Sequence, residues 1–207
     1  MNIRSILADR LILGRVLGLM ILAWAVISVP PDYDANATYR ISFGVITLFM
    51  VCVAAFGRVW ATFFLGGHKN TCLIQEGPFS VCRNPLYLFT SFGALGIALE
   101  SHQLPIVVAV ACFMLIYYSA QIRREERDLA RLFGQSYFDY TRTTPRFLPR
   151  FDRYRPPAAH MTANSKLVRN AMRDNLWWLI VWYIVHASNF LKAPGLKIVV
   201  LPNWVWF

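Results

Sequence analysis

Apolar residues in this chain fall into long runs broken by short polar stretches, a pattern that predicts membrane-crossing helices rather than alternating strands. The first run, residues 11–29, is led by Arg4, Arg10 and Arg15 and ends at Pro30-Pro31. It is too long for a signal-peptide core and lacks a small-residue cleavage site followed by a soluble domain, which predicts a retained transmembrane helix. An acidic stretch with Asp32 and Asp34 follows, and residues 41–65 make a second span with Arg58 near its inner end. Residues 86–99 and 104–120 predict a helical pair joined by a tight link containing Glu100, Ser101 and His102. Each half is slightly short for a span of about 20 residues, which fits a close hairpin. Residues 121–133 continue as a polar helix that stops at Gly134, and residues 176–191 predict a fifth helix, tilted or partly embedded. The expectation is an all-α, polytopic membrane protein with about five transmembrane helices, a single integral domain over 1–207.

Composition supports this class, with 57% apolar and 15% charged residues. A formal charge of +10 raises nucleic acid as a partner, but the basic residues gather beside apolar spans without a nucleic-acid signature, so no nucleic-acid partner is expected. More than half of the 21 lysines and arginines lie between Arg123 and Arg173. By the positive-inside rule that basic loop, 121–175, faces the cytoplasm, and four preceding spans put the N-terminus and the loop 66–84 on the same side, as in an inner-membrane protein. Cys52, Cys72, Cys82 and Cys112 form no C-x-x-C pair, and His68, His102, His160 and His186 are scattered, so no metal is expected.

Two stretches carry candidate chemistry. In Gly77–Tyr87, G-P-F-S-V-C-R-N-P-L-Y, Gly77-Pro78 predicts a turn and Asn84-Pro85 opens the next helix. Arg83, Asn84 and Tyr87 therefore stand at a helix N-terminus, where unpaired N–H groups and a cation favour an anionic group; the same residues also read as a loop and N-cap with a snorkelling arginine. On the helix after residue 120, Ile122, Leu129, Leu132 and Phe133 make an apolar stripe whose gap is filled by Glu125 and Glu126. Those carboxylates need donors, either on a ligand or from Arg124 and Arg131 of the same helix. Tyr137, Tyr140, Pro145 and Pro149 beyond Gly134 read as an interfacial anchor.

Together, G-P-F-S-V-C-R-N-P-L-Y and E-E-R-D-L-A-R-L-F-G-Q-S-Y-F-D-Y-T-R-T-T-P-R-F-L-P resemble the integral membrane methyltransferases typified by isoprenylcysteine carboxyl methyltransferase and the phospholipid methyltransferases. The resemblance covers about residues 60–150 and leaves a C-terminal extension, about 155–207, outside it. It implies a cytoplasm-facing pocket for S-adenosylmethionine and a lipophilic small-molecule or lipid acceptor, in a protein surrounded by membrane lipids. The strand-like run Thr71-Cys72-Leu73-Ile74 matches the segment whose backbone contacts the cofactor, and Phe79 takes the place of an aromatic residue that packs on it. Asn84-Pro85-Leu86-Tyr87 matches the family's His-Pro-x-Tyr, beside Arg83, and Glu125, with Glu126 as neighbour, matches the cofactor-binding glutamate. Asn84 in place of histidine removes a titratable group, so a proton-acceptor role is not expected there and no catalytic residue is assigned. Gln121 stands where the isoprenylcysteine enzymes carry a substrate-side arginine. Unless Arg123 or Arg124 substitutes, a prenylcysteine carboxylate is not expected as substrate. Rival classes are an NADPH-dependent membrane sterol reductase and a non-enzymatic scaffold whose basic loop attracts anionic lipids.

Overall fold

The computed structural model describes residues 18–27, 37–66, 72–157 and 165–191. Seven α-helices follow in order: α1 (Gly18–Ile27), α2 (Ala37–Leu65), α3 (Pro78–Val81), α4 (Pro85–Glu100), α5 (Leu104–Phe133), α6 (Gln135–Thr143) and α7 (Ser165–Leu191), with a 3₁₀ turn at Phe151–Arg153. No strand occurs among the described residues. The all-helical expectation holds, and the strand-like reading of 71–74 does not. Thr71 lies outside the described residues, and Cys72, Leu73 and Ile74 form irregular chain with no neighbouring strand to take their backbone groups.

Among the described residues two helices are long and apolar enough to cross a membrane, Thr38–Leu65 and Leu104–Phe133, while Gly18–Ile27 and Pro85–Glu100 are shorter apolar helices. At 1.5 Å per residue α2 and α5 are about 45 Å long, enough to cross roughly 30 Å of hydrocarbon and continue beyond it. The hairpin is as expected, with Pro85 and Pro105 in the first turns of α4 and α5 and a link of Ser101, His102 and Gln103. The polar extension of α5 ends at Gly134, which takes φ 51°. Burial holds the His102 imidazole in that link below its usual pKa, against the opposing field of Glu100.

Two expectations need correction. The fifth helix begins at Ser165, well before the apolar segment 176–191, because its first turns are polar and invisible to hydropathy. The basic stretch 121–175 is largely helical, being divided among the end of α5, α6, the 3₁₀ turn and the start of α7.

α2 packs along α4 and α7, and α4 along α5. The α2–α4 crossing is close because glycines leave room for the facing helix: a Cβ on Gly57 would lie 2.2 Å from the Phe89 ring, and one on Gly93 2.7 Å from Ala54 Cβ. Ile21, Leu22 and Ala25 of α1 join Ala98, Ile106, Val110 and Val185 in an apolar cluster shared by α4, α5 and α7. At the far end of α4 a polar knot ties three helices together. The buried Glu100 carboxylate meets the Thr47 hydroxyl and His186 Nδ1 (2.6 Å), and Trp182 Nε1 donates to Thr47 (3.0 Å). Asn189 Nδ2 donates to the Glu100 carbonyl at 2.6 Å.

Candidate functional site

The stretch 77–87 is shaped by its own turn residues and then held from outside. Pro78 opens the four-residue α3, Cys82 is extended, and Asn84 caps α4 with Pro85 at its first turn. A strap formed by residues 140–155 crosses it. Gly77 N–H donates to the Arg155 carbonyl (2.8 Å), Arg83 N–H to Pro145 (2.9 Å) and Arg150 N–H to Val81 (3.0 Å). Tyr140 OH donates to the Phe79 carbonyl at 2.6 Å, and Asn84 Nδ2 to the Arg146 carbonyl at 3.0 Å. The Asn84 side chain therefore fixes the strap rather than capping α4, whose first N–H groups receive no side-chain acceptor from it. Tyr140, expected as an interfacial anchor, is buried as this brace, and burial raises its phenol above the ordinary range.

The two adjacent glutamates divide their duties. Glu125 accepts from Tyr87 OH at 2.6 Å and from Gln121 Nε2 at 3.2 Å. Glu126, with its side chain 17% exposed, pairs with Arg83 (3.4 Å) and Arg146 (2.5 Å). Pairing within α5, through Arg124 or Arg131, is not what forms: Arg131 takes Asp128 instead, at 3.9 Å. Apart from Gln121 of α5 itself, the partners come across from the N-terminal end of α4 and from the strap, because this helix face is turned toward other chain. The expected stripe is also corrected at its end, where Leu132 is 57% exposed while Ile122 is buried.

Three buried polar atoms here have no hydrogen-bond partner: Arg83 Nε, Glu126 Oε1 and the Tyr137 hydroxyl. Burial and the charge of Glu126 push the Tyr137 phenol above its usual pKa. Glu126 and Tyr137 border an open cleft of about 660 Å³ lined also by Arg123, Arg124, Phe138 and Arg146, among others. On the other side of the same chain segment, Trp60, Val81, Cys82, Leu88, Phe89 and Phe151 help line an apolar pocket of about 350 Å³. Cys82 is buried there, its thiol pushed up to about 11 by desolvation.

Of the expected site residues, the structure brings Arg83, Asn84, Tyr87, Gln121, Glu125 and Glu126 together. Pro85 lines the apolar pocket and Arg124 the polar cleft, Leu86 is half-buried on the first turn of α4, and Phe79 joins the group through its carbonyl. Cys72 is exposed and Leu73 and Ile74 are half-buried. Arg146 and Tyr137 were not expected as site residues. Only the cation three residues before the proline of R-F-L-P hinted at the first, and nothing distinguished Tyr137 from an interfacial tyrosine.

An S-adenosylmethionine-like molecule fits this donor and acceptor set. It has hydroxyl and amine donors for the carboxylates of Glu125 and Glu126, and a carboxylate for Arg83 and the uncapped α4 N-terminus. Among the described residues no group of three or more His, Cys, Asp or Glu side chains is arranged to hold a metal ion.

Residues 35–136 match a family model described as phospholipid methyltransferase. The cobalt-zinc-cadmium resistance protein CzcN of Cupriavidus metallidurans is 33% identical over 145 residues, 70% of this chain and 66% of that protein. The nickel-cobalt-cadmium resistance protein NccN of Alcaligenes xylosoxydans xylosoxydans is 32% identical over 142 residues, 69% of this chain and 66% of its own. The match thus spans just under two thirds of either relative. No solved structure matches the chain.

Proposed function

Because the chain belongs, through residues 35–136, to the phospholipid methyltransferase family, we propose that it is an S-adenosylmethionine-dependent methyltransferase acting on a lipophilic acceptor at the cytoplasmic face of the inner membrane. The observation that carries this reading is the junction of the α4 N-terminus with the Glu125–Glu126 face of α5, beside a cleft lined by Glu126, Tyr137 and Arg146. S-adenosylmethionine, when bound, supplies an electrophilic sulfonium methyl group. Arg83 and the first N–H groups of α4 hold its carboxylate, and Glu125 and Glu126 accept from its amine and hydroxyl groups. Tyr87, fixed by its bond to Glu125, orients the donor side of the site. The strap closes over 77–85 and fixes Arg83 at the junction. The chain's task is then to align donor and acceptor about 3–3.5 Å apart. A carboxylate acceptor needs no general base, consistent with Asn84 where the family has histidine.

Membranes containing the protein, incubated with methyl-labelled S-adenosylmethionine, are expected to yield a labelled lipophilic product. Glu125→Gln is expected to weaken cofactor binding by about 1.5–3 kcal/mol, one charge-assisted hydrogen bond. Unchanged affinity in calorimetry would remove Glu125 from the site. The resistance in the relatives' names extends here to a product that alters the membrane the ions cross. A host lacking the protein is then expected to gain cobalt, zinc or cadmium tolerance from the natural chain and none from Glu125→Gln; equal tolerance from both would sever the link.

A further inference from the structure

The apolar pocket behind the 77–85 segment is not part of the junction with α5. Val53 and Trp60 of α2, Leu88, Phe89 and Phe92 of α4, and Phe151 of the strap help line its 350 Å³, without a charged side chain. At 3.6 residues per turn, Leu88, Phe89 and Phe92 face about half a revolution away from Tyr87 and Thr90. The α4 helix itself therefore stands between this pocket and Glu125, the partner of Tyr87. A molecule held here does not reach the proposed transfer site. It touches Val81, Cys82 and Pro85, the residues on either side of Arg83 and Asn84.

The surroundings of the pocket point to its occupant. Val53 and Phe92, at the end away from the strap, belong to the apolar helices, and Phe92 is itself exposed. On α2 the pocket face borders a row of exposed phenylalanines, Phe49, Phe56 and Phe63, as on the bilayer side of a membrane-crossing helix. The pocket is thus continuous with the hydrocarbon layer. Left empty, it forfeits dispersion contacts, and it offers water few hydrogen-bond partners, so a hydrocarbon chain is what fills it. At the other end the strap has an interfacial composition. Leu148 and Phe151 are exposed, and among residues 150–155 three arginines, Arg150, Arg153 and Arg155, stand against one acid, Asp152, which pairs with Arg150 at 2.9 Å.

We propose that this pocket holds one anionic phospholipid of the adjacent leaflet, an acyl chain lying between α2, α4 and the strap and the phosphate beside Arg153 and Arg155. The lipid is a fixed ligand and not the methyl acceptor. That distinction rests on the methyl-transfer reading; the binding does not. Its chain backs the turn 78–85, whose other side presents Arg83 to Glu126. Membrane composition thereby acts on the candidate site from behind, through a molecule that never enters it.

The test is lipid retention by the purified full chain, stripped of lipid in detergent and measured by native mass spectrometry with phosphatidylglycerol and phosphatidylcholine of identical chains. One lipid per chain is expected, with phosphatidylglycerol held about fivefold more tightly, the scale of one arginine near an anionic headgroup. Arg153→Gln combined with Arg155→Gln is expected to remove that preference, and Arg142→Gln, on the exposed face of α6, to leave it unchanged. Equal retention of the two lipids by the natural chain overturns the proposal. The place is read on the natural chain with phosphatidylglycerol carrying a diazirine in one acyl chain, at one lipid per protein. Label is expected on Val81 or Cys82, which are buried and border the pocket. Label confined to Phe49, Phe56 and Phe63 would be general solvation by lipid, and label on α5 between 117 and 125 would put the chain on the transfer side; either result overturns the assignment. Val53→Phe, which adds a ring to the cavity, is expected to abolish the label at Val81 and Cys82 while the exposed phenylalanines still react. Lipid held in the pocket without any methyl transfer would leave this inference standing and remove the methyltransferase reading.

Discussion

Glu125 and Glu126 are neighbours in sequence with the same charge, yet one meets a phenol and an amide while the other meets two arginines. Their presence in the site was legible from the gap they fill in an apolar stripe, but their partners were not. Arg146 is brought in by a loop whose path depends on Tyr140 and Asn84 bonding backbone carbonyls, and such bonds leave no periodic trace. Glu100 was similarly unreadable: in a polar link it looks solvated, and it is buried because α2 and α7 close over it. Tyr140→Phe is expected to leave the Phe79 carbonyl without its donor and to destabilise the protein by about 1–3 kcal/mol, measured by denaturant unfolding in detergent. Cys82 supplies a pH dependence. Its folded-state pKa, about 11, exceeds the ordinary thiol value of 9.0, so the unfolded chain ionises first as pH rises. The stability associated with the neutral thiol is intact below pH 9 and declines between 9 and about 11. Melting curves across that window should flatten in Cys82→Ala, and an unchanged slope would show that the thiol does not contribute.

Helix types and the α4–α5 hairpin were legible because prolines, a glycine and apolar runs mark them directly. The start of α7 was not, because its first turns are polar and their helicity is sustained by the packing of later turns against α2 and α4. That packing is clamped by the Glu100 knot, so Glu100→Leu should strand His186 Nδ1 and take one of its two acceptors from the Thr47 hydroxyl, which keeps the Gly44 carbonyl and the Trp182 indole. The expected loss is about 1–3 kcal/mol, with α7 released first, read as faster hydrogen exchange across 165–191. Uniform exchange in the variant and the natural chain would show the knot to be passive.

For the molecule as a whole, charge is distributed by position. The basic residues of α5, α6, the strap and the first turns of α7 lie toward the end that carries the candidate site, opposite the Glu100 knot. On the proposed orientation, a lone cysteine at Arg153 in a cysteine-free variant stays unlabelled by an impermeant reagent in intact cells, while one at Asp34 is labelled. The reverse pattern would turn the site outward and remove its access to cytoplasmic cofactor.

The α4 helix has 16 residues, about 24 Å of rise, against a hydrocarbon layer of roughly 30 Å. Its first turn carries Tyr87 and its last carries Glu100, so, on the proposed placement of α4 across the membrane, the deficit cannot be absorbed by sliding without dragging either the site or the knot into lipid. Bilayer thickness thereby becomes a mechanical load on the junction between Tyr87 and Glu125. A thin bilayer relieves it, and a thick one pulls the α4 N-terminus away from α5, which is long enough to stay put. Turnover in vesicles of graded acyl length should fall as the chains lengthen, while turnover in detergent, which has no fixed thickness, should stay near the thin-bilayer value.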